Sequence, residues 1–178
     1  MTIDTVVLVD ENDRETGTME KIEAHRKGLL HRAFSVFILN SKGELLLQRR
    51  ASGKYHSPGL WTNTCCSHPR PGEDVADAAH RRLYEEMGMK GEMYSSFSFI
   101  YRADFDNGLT EHEFDHVFIG ISDDIPVPDE SEVDGIRYVN LEDLTEDIEN
   151  NPGNYTVWFR IAYPETREKL IELINKQN

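Results

Sequence analysis

The sequence predicts an α+β fold, a mixed β-sheet sandwiched by α-helices, and three observations carry that expectation. Strand-like runs dominate the first two-thirds, one strong amphipathic helix interrupts them, and helical periodicity returns only near the end. At 178 residues the chain suits a single domain over 1–178, able to bury roughly two-thirds of its unfolded surface.

Thr5–Val9 is a short apolar run ended by Asp10-Glu11-Asn12-Asp13, which reads as strand and turn. Ala33–Leu39 and Glu44–Arg49 flank the turn signal Asn40-Ser41-Lys42-Gly43 and predict a hairpin. Over Asp74–Met87, the residues Val75, Ala79, Leu83 and Met87 recur every four positions along one face. Asp77, Arg81 and Glu85 add i,i+4 pairs there, and Gly88 follows as a C-terminal cap. Met93–Ala103 and His112–Ile121 read as strands around Asp106-Asn107-Gly108, and Gly135–Val139 as a shorter strand. Asn140 caps a helix carrying Leu141, Leu144 and Ile148, which stops before Pro152. Pro164 opens a last helix with Leu170, Ile171, Leu173 and Ile174.

Composition excludes several classes. No run of about 18 apolar residues is present, so no membrane-spanning helix is expected. Met1-Thr2-Ile3-Asp4 does not read as a secretory or transit signal. The two cysteines, Cys65 and Cys66, are adjacent and cannot staple distant segments, so a reducing cytoplasm is the expected location. A net charge of −14 opposes attraction to nucleic acid or an anionic membrane, and neither is expected as a partner. An anionic substrate would need local cations or a bound metal to reverse that field. A monomer or weak dimer is expected.

Against this acidic background Lys21, Arg49, Arg50, Lys54 and Arg82 stand out. Arginine and lysine at a strand end and the following loop suit a phosphate or diphosphate, although a solvated face is the plainer explanation. Glu111 and Glu113, two apart at the start of a strand, point to one side and repel unless one is protonated or a metal lies between them. His25, His31 and His68 are candidate nitrogen ligands, each taken singly more at home in a core or on a surface. Together with the two glutamates they would make a mixed N/O site for Mn²⁺, Mg²⁺ or Zn²⁺. Cys66, two residues before His68, is a candidate reactive thiol and Cys65 a buried hydrophobe. Trp158 and Tyr101 are core residues or, alternatively, aromatic walls of a site.

Residues Ser67–Met89 resemble the Nudix box: Glu73, Arg81, Leu83, Glu85-Glu86 and Gly88-Met89 match, while Ser67 replaces the first Gly and Arg82 the Glu that follows the Arg. In Nudix hydrolases that Glu belongs to the carboxylate set supporting the metals for diphosphate cleavage. A cation there suits a site that grips diphosphate intact. Around the box, Gly17–Lys21 with His25, His31–Ser35, Leu45–Arg50, Pro58–Asn63, Cys66–Pro69, and Tyr101 with Glu111–Glu113 resemble the type I isopentenyl-diphosphate isomerases over nearly the whole chain. The resemblance implies that His25, His31, His68, Glu111 and Glu113 bind a first metal, and that Glu86 helps bind a Mg²⁺ that contacts the substrate diphosphate. It implies that Lys21, Arg50, Lys54 and Arg82 hold that diphosphate, with Trp158 over the hydrocarbon of a prenyl diphosphate substrate. Cys66 and Glu113, the latter beside Tyr101, would be the proton carriers, with Glu113/Tyr101 favoured as donor and Cys66 thiolate as base. The rival expectations are a Nudix diphosphate hydrolase and a non-catalytic binding module.

Overall fold

The structure is a computed structural model that describes residues 4–177; the reading of Met1–Ile3 lies outside them. Strand β1 (Thr5–Val9) pairs antiparallel with β2 (Glu15–Glu20), which leads into helix α1 (Lys21–Lys27). Neither β2 nor α1 is visible in the sequence pattern, because both are short and largely polar. Local hydrogen bonds define α1 instead. The Glu20 carboxylate accepts from the N–H groups of Ile22 and Glu23, and Gly28 closes the helix in the left-handed region at φ 61°.

Strands β3 (His31–Leu39) and β4 (Glu44–Arg50) do not form the expected hairpin beyond its tip, where Leu39 pairs with Leu45. The reason is a wedge. Residues 61–67, containing β5 (Trp61–Thr62) and β6 (Cys65–Ser67), insert between the two strands. Thr64 is the pin: its hydroxyl accepts from Ile38 N–H at 2.9 Å and donates to Leu46 C=O at 2.7 Å. β3 then pairs in parallel with β8 (Thr110–Ile121) for its whole length, and β7 (Met93–Asp104) covers the far side of β8. β4 pairs with β9 (Val133–Asn140). Among the described residues the result is a nine-stranded mixed sheet.

Alternation along β3 distributes the core between two faces. Phe34, Val36 and Ile38 pack with Ala78, Ala79, Leu83 and Met87 of helix α2 (Val75–Met87). Phe37 and Leu39 pack on the other side with Leu144 of helix α3 (Leu141–Asn150) and with Trp158, Phe159 and Leu170 of helix α4 (Val157–Gln177). Asp74 caps α2 through Ala76 N–H, and Asn140 caps α3 through Asp143 N–H. Pro164 does not open α4; it lies inside it, seven residues past the start. An interior proline costs about 3 kcal/mol. Burial of Trp158, Phe159 and Tyr163 just before it contributes roughly 1.5–3 kcal/mol per side chain and outweighs that cost.

Candidate active site

The β3/β8/β7 register builds the site. His31 lies opposite Glu113, and Glu113 opposite Tyr101, so one row across three strands carries an imidazole, a carboxylate and a phenol. Tyr101 Oη donates to Glu113 Oε2 at 2.6 Å. Glu111 follows on the same face of β8. His25 arrives from α1, because the turn at Gly28 folds that helix back onto the start of β3. The rings of His25 and His31 come to 4.8 Å between centroids. His68, just past β6, completes the group with Nε2 2.9 Å from Glu113 Oε1.

These five residues offer ligand atoms that all lie within 4.8 Å of one another. His25 Nδ1 faces Lys21 C=O at 2.6 Å and His31 Nδ1 faces Leu29 C=O at 2.8 Å, so Nδ1–H donates and Nε2 presents a lone pair to the centre. His25 Nε2, His31 Nε2 and Glu111 Oε2 are buried and have no hydrogen-bond partner. Orphaned buried polar atoms converging on one point suit a divalent metal, and this cluster can hold one.

Without an ion, the titration of the cluster reflects burial and the contacts among its members. Burial pushes His68 down to about 4, leaving a neutral imidazole ready to ligate. Burial opposes charge on His25 as well, but the Glu111 carboxylate outweighs it and raises that ring above its ordinary value. Burial likewise opposes ionisation of Glu113, yet the imidazoles of His31 and His68 hold its carboxyl well below the usual range. Cys66 shows the reverse: burial pushes its thiol up to about 12. Without metal, therefore, burial favours the thiol form of Cys66 while its imidazole neighbours favour the carboxylate form of Glu113.

A cavity of about 270 Å³ opens beside the cluster, and Cys66, His68, Tyr101, Glu111, Glu113 and Trp158 are among the residues that line it. Lys21, Arg50, Lys54, Arg82 and Glu86 line it as well; His25 and His31 do not, and join it through the metal cluster. Neighbours in β6 face opposite ways, so Cys65 is fully buried against α2 while Cys66 reaches the cavity. Ser67, in place of the box glycine, sits in β6 and is not among the described residues of positive φ.

The cations are all engaged. Arg50 lies over the Trp158 ring at 5.1 Å, and Lys21 reaches Asp4 at 3.2 Å. Lys54 pairs with Glu132, and Arg82 pairs with Glu86 and lies 3.8 Å from Glu132. Gln48 also holds Glu86, at 3.0 Å. The box residues Glu73 and Arg81 form a two-pronged pair at 2.7 and 2.8 Å that fixes the loop before α2.

Sequence reasoning missed His56, Asp115 and Glu132. Asp115 was within reach, since extending the two-residue period past Glu111 and Glu113 arrives at it. His56 and Glu132 sit in loops, where no periodicity marks them.

Comparison with known proteins gives consistent results. A family model described as NUDIX domain matches residues 29–159. The isopentenyl-diphosphate Delta-isomerase of Pectobacterium atrosepticum is 52% identical over 163 residues, covering 92% of this chain and 91% of that protein. Isopentenyl-diphosphate Delta-isomerase 2 of Aromatoleum aromaticum is 55% identical, covering 87% of this chain and 82% of that protein. A solved structure from Deinococcus radiodurans superposes at a TM-score of 0.69 with 23% identity, covering 83% of this chain and 90% of the other. The MutT protein of Methanosarcina mazei gives 0.64 at 18% identity, with 79% and 94% covered. These two likenesses concern the fold alone.

Proposed function

Because the chain belongs to the NUDIX-domain family of isopentenyl-diphosphate Delta-isomerases, which interconvert isopentenyl and dimethylallyl diphosphate in isoprenoid biosynthesis, we propose that Cys66 and Glu113 are its two proton carriers. The observation that carries this is the buried Tyr101–Glu113 hydrogen bond in the wall of a cavity that also receives Cys66.

The reaction adds a proton to the terminal CH₂ of an unactivated alkene, forming a tertiary carbocation, and removes one from the neighbouring CH₂. The alkene is a very poor base, so the donor must be placed well and water kept out, since it would trap the cation as an alcohol. One carrier gives a proton and the other takes one; both directions use the same pair. Tyr101 keeps the Glu113 carboxyl oriented. Trp158, already covered by the Arg50 guanidinium, offers its π face to the transient positive charge. Lys21, Arg50, Lys54 and Arg82 grip the diphosphate, and that remote binding energy positions the reacting carbons.

His25, His31, His68, Glu111 and Glu113 would hold a divalent ion, Mn²⁺, Mg²⁺ or Zn²⁺, and Glu86 would help hold a Mg²⁺ that arrives with the diphosphate. When bound, the first ion supplies fixed positive charge that keeps the Glu113 carboxylate in place. A prenyl diphosphate is the partner; neither nucleic acid nor membrane is. No helix among the described residues is long and apolar enough to cross a membrane. The unpaired cysteines fit a cytoplasmic protein, and a monomer or weak dimer suffices for the site.

Turnover in D₂O tests the reading. Metal-loaded protein given isopentenyl diphosphate should place deuterium in the methyl groups and at C2 of the allylic product. Cys66→Ala should abolish the incorporation, and Cys65→Ala should retain it. Unlabelled substrate after long incubation, or equal loss in both variants, would refute the assignment.

A further inference from the structure

His56 takes no part in the proton transfers just described. It lies in the loop between β4 and β5, two residues after Lys54, and is 6% exposed. Its ring stacks on Phe105, with centroids 5.1 Å apart and planes 14° from parallel, and meets Trp158 edge-on at 5.5 Å. Its backbone C=O accepts from the Arg50 guanidinium at 3.2 Å. Packing thus fixes the ring, and Nε2 lies 2.7 Å from Glu111 Oε1. The other oxygen of that carboxylate, Oε2, is 3.3 Å from His25 Nε2 and has no hydrogen-bond partner. One oxygen of Glu111 is held from outside the cluster and the other is left for an ion. A freely rotating carboxylate loses rotamer freedom when it ligates; an N–H that pins it beforehand removes that cost and is the usual arrangement behind a ligating side chain.

We infer that His56 is a positioning residue that holds Glu111 in its metal-ligating orientation, so that loss of its N–H weakens divalent-ion binding. The inference rests on the metal reading of the His/Glu cluster.

Two variants separate the hydrogen bond from the packing. His56→Phe keeps an aromatic ring for Phe105 and Trp158 but lacks the donor. His56→Gln keeps an N–H donor but lacks the ring. Each is stripped with chelator and titrated with Mn²⁺ alone and Zn²⁺ alone, and thermal unfolding of the stripped proteins checks that the fold persists. The phenylalanine variant should bind the ion about 10–100-fold more weakly than wild type, and the glutamine variant should keep most of the affinity. Packing alone predicts the opposite order, and wild-type affinity in His56→Phe, or equal loss in both variants, overturns the inference. Wild-type protein that binds neither ion overturns the metal reading on which it depends.

Discussion

Asp115 hangs from β8 two residues beyond Glu113 and on the same face. Ser35 Oγ donates to its Oδ2 at 2.7 Å, while Oδ1 is buried without a partner. Burial, and then the charge of Glu113, raises this carboxyl well above its ordinary pKa. The sign of the consequence follows from linkage. The folded chain keeps the Asp115 proton while the unfolded chain releases it above about pH 3.9, so this residue costs stability increasingly as pH rises from there towards the folded value. Asp115→Asn retains the shape and removes that dependence. In metal-free protein the variant should melt above wild type near neutral pH, by about 2–4 °C for each kcal/mol gained, with the advantage shrinking on acidification. Melting curves across the acidic and neutral range check it, and an advantage that grows towards low pH would sink the argument. At this scale the sequence was most legible where strand alternation or a motif marks a position, as for Glu111, Glu113 and Cys66. His56 carries no such mark, because only the folded loop brings it to Glu111.

Among the elements, long periodic segments were readable and short ones were not. Helix α2 declares itself through Val75, Ala79, Leu83, Met87 and the capping Gly88, whereas β5 and β6 are two and three residues long. Such strands exist through the Thr64 contacts and the pairing with β3 and β4, none of which a local pattern encodes. The same wedge delivers Cys66 and His68 to the cavity, so its attachment underlies the site. Thr64→Val preserves volume but leaves the Ile38 N–H and the Leu46 C=O unpaired in the interior. That should cost about 2–4 kcal/mol of unfolding free energy, read as a lower urea midpoint with unchanged slope. A loss below about 1 kcal/mol would mean that the strands are held apart by something other than Thr64.

For the whole molecule, charge is the feature with the widest reach. The net charge of −14 was plain in the composition, but its distribution around the cavity was not. The wall cations Lys21, Arg50, Lys54, Arg70, Arg81 and Arg82 are matched in number by Asp4, Glu85, Glu86, Glu111, Glu113 and Glu132. Counted as full charges, six against six leaves the cavity lining neutral inside a strongly negative envelope. Diffusing diphosphate therefore meets no standing attraction until an ion with two positive charges occupies the His/Glu cluster. On the proposed metal reading, loading would then act as a switch on the rate of encounter as well as on the chemistry. Stopped-flow association should reveal it through its response to ionic strength. In stripped protein added salt screens the repulsive envelope and speeds capture of the anion; in loaded protein it screens a local attraction and slows it. Identical salt dependence in the two states would show that the ion does not govern capture. If the two slopes differ in sign, a cell short of the metal is left with an enzyme that is slower to find its substrate, whatever its catalytic residues can still do.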